Sequence, residues 1–222
     1  MRAAEARWQQ QVSSGRVRNV TAKEAGELIK EGWVLLDVRP VEETKKAAVR
    51  GAVTVPLFVR DEDLSPGGLL KRASAFGMGG WWLGGAHMKA NVRFLPDVQA
   101  AVPKDANVVV ACQKGLRSLA ACEQLSRAGY GTLAWVNGGF DTAEKGDLET
   151  EDSKDLRYAG IGGLSALLGW TEVQQADARA KGMRGSLDTL FRVGVIVLAL
   201  DALVFAVEQW RYMQSTGGMP GQ

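Results

Sequence analysis

Ala111-Cys-Gln-Lys-Gly-Leu-Arg-Ser118 is the stretch that decides how this chain is read. It follows Asn107-Val-Val-Val-Ala-Cys112, a short β-branched run without polar alternation, as expected of a strand buried on both faces. It leads into Leu116 to Ala128, where Leu119, Cys122 and Leu125 recur on one side at helical spacing. Cys112 therefore stands between the carboxyl end of a strand and the amino end of a helix.

Outward from that loop the same alternation repeats. Thr21-Ala-Lys-Glu24 reads as a capping box opening a helix with Ala25, Leu28 and Ile29 on its apolar stripe. Trp33 to Val38, Val53 to Leu57 and Thr132 to Val136 read as further strands. Asn137-Gly-Gly139 would turn the chain into another helix around Asp141 to Lys145. Residues 2–12 would form a short polar helix packed through Trp8. The expected fold class is α/β, with a central, mainly parallel sheet flanked by helices. In such sheets ligands bind at the carboxyl ends of strands, where Cys112 lies.

The loop chemistry follows from its residue types. A thiolate is the nucleophile, and a free cysteine with pKa about 8.5 is mostly protonated at neutral pH. At a helix mouth, unpaired backbone N–H groups and the positive helix end both favour the anion. Gly115 lets the backbone curl so that successive N–H groups face inward, and Lys114 and Arg117 add positive charge for a small anion. Cys112 is the candidate catalytic residue. Gln113, Lys114, Gly115, Leu116, Arg117 and Ser118 are the candidate substrate-binding residues. Cys122, on the helix stripe, reads as core.

Composition narrows the field. The formal charge of +2, without a basic run interleaved by aromatics, argues against a nucleic-acid surface. Two cysteines and the single His87 argue against a structural metal site, and no cofactor fingerprint is complete. Gly77-Met-Gly-Gly-Trp-Trp82 and Gly160-Ile-Gly-Gly-Leu-Ser165 lack the third glycine of a dinucleotide loop.

Two stretches exceed a minimal α/β domain. An insertion at about 58–100 contains Ala73 to Met88, sixteen residues without a formal charge. It reads as a surface excursion with Trp81 and Trp82 tucked against the core, a lid, or a patch for a partner or membrane. The C-terminal third carries the apolar run Val193 to Val207. Extended over Leu187 to Trp210 as a helix, it would reach about 35 Å, enough to span a hydrocarbon core of about 30 Å. Asp201 opposes this by about 2.5–3.5 kcal/mol on insertion scales unless it is protonated or paired with a partner. Lys181 and Arg184 before the span, against Arg211 after it, would leave the main domain on the positive side. The expected organisation is an N-terminal helical extension (1–16), the α/β domain (17–148), a linker and amphipathic segment (149–185), a transmembrane helix (186–211) and a flexible tail (212–222).

Cys112-Gln-Lys-Gly-Leu-Arg117 between strand and helix resembles the active loop of rhodanese-like sulfurtransferases. Leu35-Leu-Asp-Val-Arg39 and Gly51-Ala-Val-Thr-Val-Pro-Leu57 resemble the family's first two signatures. Gly129-Tyr-Gly131 with Val136-Asn-Gly-Gly139 resembles its closing segment. Ala47-Ala48-Val49 departs from the Gly-His-Ile that many relatives carry, which bears on packing more than on chemistry. The resemblance implies a persulfide carried on Cys112, loaded by thiosulfate or a persulfide donor and needing no histidine base. Four residues between Cys112 and Arg117 is the sulfurtransferase loop length; the related phosphatases enclose five. Asp37 and Arg39 would form a structural ion pair. The Trp-rich insertion, Arg157-Tyr-Ala-Gly-Ile-Gly-Gly-Leu164 and the apolar helix resemble plastid thylakoid members. That implies a thylakoid membrane location with the domain on the stromal side. It also leaves open a non-enzymatic role in a membrane-protein complex, reached through the Asp201 helix and the Trp81/Trp82 insertion.

Overall fold

Seven strands occur in the described part of the chain: β1 (Val17–Val20), β2 (Val34–Asp37), β3 (Val53–Thr54), β4 (Phe58–Arg60), β5 (Met88–Ala90), β6 (Asn107–Ala111) and β7 (Thr132–Val136). Five of them form one parallel sheet in the order β1-β7-β6-β2-β3, while β4 and β5 pair antiparallel beside it. The computed structural model describes residue 10 and residues 12–216, so most of the helix expected around Trp8 lies outside the described residues. The chain divides into two compact units, Met1–Gly162 and Gly163–Gln222.

β6 lies between β2 and β7, and Val108 to Ala111 are wholly buried, which is why this strand shows no polar alternation. Val108, Val110 and Cys112 face one layer with Leu36, Leu133, Ala121 and Leu125, and Val109 and Ala111 face the other with Ala25, Leu28 and Phe140. Each fully buried Val or Leu side chain here contributes about 1.5–3 kcal/mol relative to exposure. The helix α1 (Ala22–Lys30) begins as its sequence requires. Thr21 Oγ1 accepts the Glu24 N–H at 3.2 Å, and the Glu24 carboxylate accepts the Thr21 N–H at 2.7 Å.

Three local differences from the sequence reading have physical causes. The strand expected over Val53 to Leu57 is regular only at Val53–Thr54; beyond it Val55 N–H still bonds the Asp37 carbonyl at 3.0 Å, but Leu57 N–H bonds the Val38 carbonyl at 3.1 Å, out of ladder register. The helix expected around Asp141 is one 3₁₀ turn, Gly139–Thr142. There the Thr142 hydroxyl donates to the Gly139 carbonyl at 2.8 Å, competing with helical continuation. The first unit also runs past residue 148. Arg50 N–H bonds the Glu149 carbonyl at 2.8 Å, and Leu156 and Ala159 are buried in the α1-side core.

Between the signature strands, α2 (Val41–Thr44) follows Pro40. In the insertion, α3 (Pro66–Ala75) runs into a π-helical turn, Phe76–Gly80, and then α4 (Trp81–Leu83), which ends at left-handed Gly84. Trp81 and Trp82 meet edge to face at 5.5 Å, and Trp81 is 46% exposed rather than tucked against the core. α5 (Phe94–Ala101) and α6 (Leu116–Arg127) complete this unit.

The second unit holds α7 (Gly163–Leu168), α8 (Glu172–Ala180) and α9 (Met183–Thr216). α9 continues past residue 211, so Tyr212 to Thr216, expected in a tail, are helical; the remaining residues lie outside the described part. Its segment Val193–Gln214 has 22 residues, mean hydropathy 1.8 and no buried share. At 1.5 Å per residue it measures about 33 Å, long and apolar enough to cross a membrane.

Candidate functional site

Cys112 leaves the carboxyl end of β6, and its sulfur is the centre of the loop. Sγ accepts the backbone N–H of Gly115 at 3.1 Å and of Ser118 at 3.3 Å, with Ser118 Oγ 3.6 Å away. Ser118 in turn donates its hydroxyl to the Gly115 carbonyl at 2.8 Å, tying the two ends of the loop together. The two donors come from the residue that precedes α6 and from its first turn. Cys112 is fully buried beneath the loop's rim. Gly115 makes the curl possible: its φ is 88°, and a Cβ there would lie 2.9 Å from Gly138 N.

The rim carries charge and one apolar side chain. Arg117 holds Glu43 of α2 through two bonds, Nη1 to Oε1 at 2.9 Å and Nη2 to Oε2 at 2.8 Å. Burial opposes the guanidinium charge, but hydrogen bonding and attraction from Glu43, with a smaller pull from Cys112, raise its pKa above the ordinary arginine value. Lys114 Nζ lies 4.0 Å from Asp141 Oδ2. Leu116 is 77% exposed at the start of α6.

Gln113 has a different environment from its neighbours. Its side chain is buried, accepts Arg39 Nη1–H at 3.2 Å and donates to Asp141 Oδ1 at 2.6 Å and to the Leu156 carbonyl at 3.0 Å. It braces the loop from behind. Behind it again, Arg39 and Asp37 form the expected ion pair, with Nη2 to Oδ2 at 2.7 Å and both side chains almost completely buried. Arg39 also donates to the Ala47 carbonyl at 2.8 Å and lies 4.4 Å from the Phe140 ring centroid.

The Gly138-Gly139 turn clamps the loop backbone. Phe140 N–H bonds the Cys112 carbonyl and Asp141 N–H the Gln113 carbonyl, each at 2.9 Å. Gly139 has φ 65°, and a Cβ there would overlap the Cys112 carbonyl oxygen. A Cβ on Gly160 would overlap the Gln113 side chain, so the segment after the 3₁₀ turn also closes on the loop.

All the candidate residues from Cys112 to Ser118 gather at this strand end, but sequence reasoning missed Glu43, Asp141 and Gly160. Glu43 follows Glu42 in a short polar segment, and nothing local separates it from a solvated acid. Cys122 is buried, with its thiol 3.6 Å from the Ala134 carbonyl; burial, then the charge of Cys112, pushes its pKa far up, so it stays a thiol. Both cysteines are free. Among the described residues, no three His, Cys, Asp or Glu side chains come together as a metal site.

Known proteins share this arrangement in sequence. The rhodanese-like domain family matches residues 21–145. The chain is 45% identical over 218 residues to the Arabidopsis thaliana chloroplastic rhodanese-like domain-containing protein 11, covering 97% of this chain and 75% of that protein. Rhodanese-like domain-containing protein 10 of the same plant is 46% identical over 160 residues, 71% of this chain and 75% of that protein. The plant's chloroplastic thiosulfate sulfurtransferase 16 is 28% identical over 133 residues, 60% of this chain and 92% of that protein. With a strand-end cysteine cradled by its own helix and a family match across more than half its length, this chain belongs to the rhodanese-like domain family.

Proposed function

We propose that the chain transfers sulfur through a persulfide on Cys112, from a domain held at a plastid membrane by α9. The observation that carries the chemistry is the pair of backbone N–H groups, Gly115 and Ser118, aimed at Cys112 Sγ. The Cys112 thiolate attacks the outer sulfur of thiosulfate or of an organic persulfide. A new S–S bond forms at Cys112, the donor's S–S bond breaks, and sulfite or a thiolate leaves with the electron pair. An acceptor nucleophile then takes the outer sulfur and the Cys112 thiolate returns. Lys114 and Arg117 attract the anionic donor, while Gln113 and Ser118 keep the loop in shape.

Purified full-length protein supplied with thiosulfate and cyanide should form thiocyanate, and Cys112 should gain one sulfur by mass. If thiocyanate does not exceed that of Cys112→Ser, and no added sulfur appears on the wild type, the proposal is wrong.

The location rests on α9 and on the chloroplastic names of relatives. The basic residues Lys181 and Arg184 before the apolar segment support a domain on the stromal side, and we read the membrane as the thylakoid. A second reading, a structural role in a membrane-protein complex, is favoured by Asp201, which is exposed within the apolar segment and would require a polar partner there. Gentle detergent extraction and sizing should then give a particle larger than one chain, and a free monomer would sink that reading.

A further inference from the structure

Between Leu64 and Phe94 the chain has no aspartate or glutamate, although overall it carries 27 basic and 25 acidic residues. Lys89 and Arg93 in this stretch pair with Asp61 and Asp97 outside it. Lys71 and Arg72, on α3 just before the π-helical turn, form no ion pair within 4 Å among the described residues, and only Asp63 draws on the charge of Lys71 from farther off. The turn and its flanks hold large apolar side chains out to solvent: Leu70, Phe76, Met78, Trp81 and Leu83, with Met78 88% exposed. Apolar side chains including a tryptophan, edged by cations and without a carboxylate in their own stretch of chain, match the chemistry of an anionic lipid headgroup layer. The insertion also lies at the domain's exit. A Cβ on Gly162, the last residue of the first unit, would lie 3.4 Å from Gly84 Cα at the end of α4. From Gly162 the chain continues toward α9.

We propose that the Phe76–Leu83 tip docks on anionic lipid headgroups of the bilayer that α9 crosses, with Lys71 and Arg72 supplying the attraction. The proposal rests on reading α9 as a membrane span, and the test separates the two. Full-length Met78→Cys carrying a fluorophore would be reconstituted into vesicles of phosphatidylcholine with or without phosphatidylglycerol. Wild type taken through the same labelling serves as the blank for Cys112 and Cys122. A shallow lipid-borne nitroxide should quench the label in the anionic vesicles, with quenching falling about fivefold for Lys71→Glu/Arg72→Glu and in about 0.5 M salt.

Protein that resists an alkaline wash while its label answers only to a water-soluble quencher would overturn the docking and leave the span intact. A label shielded from both quenchers would show the tip buried against protein, which also overturns it. Protein that washes off would refute the span; quenching that persists before the wash would then support the docking without it, and its absence would refute both.

Discussion

Glycine plays opposite parts in the cysteine loop and in the insertion. Around Cys112, a Cβ on Gly115 or Gly139 would run into backbone, and both residues hold positive φ. In the insertion, Gly77 and Gly85 have nothing within 4 Å of a Cβ position, and neither has positive φ. Gly80 is hemmed in by the carbonyls of Ala75 and Gly85 and Gly68 by Asp63, while Gly79 and Gly84 hold positive φ at the kink and at the end of α4. The loop is over-determined: Gln113, the buried Asp37–Arg39 pair and the Gly138-Gly139 turn all fix one backbone. The insertion anchors itself in the core through Phe94 and Val98, whereas the large apolar groups of its Phe76–Leu83 tip, Phe76, Met78 and Leu83 above all, face outward. The loop uses its glycines for close backbone approach around Cys112, while the tip leaves Gly77 open and the chain beyond it Gly85.

Four measurements would break or sharpen that contrast. Asp37→Ala strands Arg39 as a buried unpaired charge and should lower unfolding stability by about 3–5 kcal/mol in guanidinium titrations. A loss under about 1 kcal/mol would mean the brace is dispensable. Gly139→Ala should cost roughly 3 kcal/mol and reduce persulfide loading of Cys112, because the clash falls on the loop's own carbonyl. Normal loading with an unchanged midpoint would refute the clamp.

Cys122 sets the pH behaviour. Unfolded, a thiol ionises near pH 8.5, whereas burial and the neighbouring Cys112 charge push the folded value far higher. The folded protein keeps a proton that the unfolded chain releases. Stability is therefore full below about pH 8.5 and falls as pH rises above it, by up to about 1.4 kcal/mol per unit. Denaturation at pH 7 and 10 should show a drop that is reduced in Cys122→Ala; equal drops in both proteins would contradict it. The smallest effect belongs to the insertion: Gly77→Ala should change stability by no more than about 0.5–1 kcal/mol, in the stabilising direction. A large loss in a thermal melt would show that the tip is packed after all.

Legibility in the sequence followed the range of the interaction. β7 and the Thr21 capping box were readable to the residue, since strand patterning and a three-residue reciprocal bond are local. The cysteine loop was readable because strand, glycine and helix start are contiguous. Glu43, 74 residues from Arg117, was not, because two adjacent glutamates look the same whether solvated or paired. Gln113 was read as facing substrate, yet its side chain bonds Arg39 and the Leu156 carbonyl. The helix expected around Asp141 gave way to a single 3₁₀ turn under the local competition of the Thr142 hydroxyl.

The sequence by itself determined the parallel α/β class, the Cys112 strand-to-helix loop and an apolar C-terminal helix, because periodicity, turn chemistry and hydropathy act over a few neighbouring residues. Only the tertiary structure decided which charges the loop presents. Ion pairs and steric limits between residues far apart in the chain exist only once the sheet brings Glu43, Arg39, Gly139 and Gly160 around one sulfur-bearing loop.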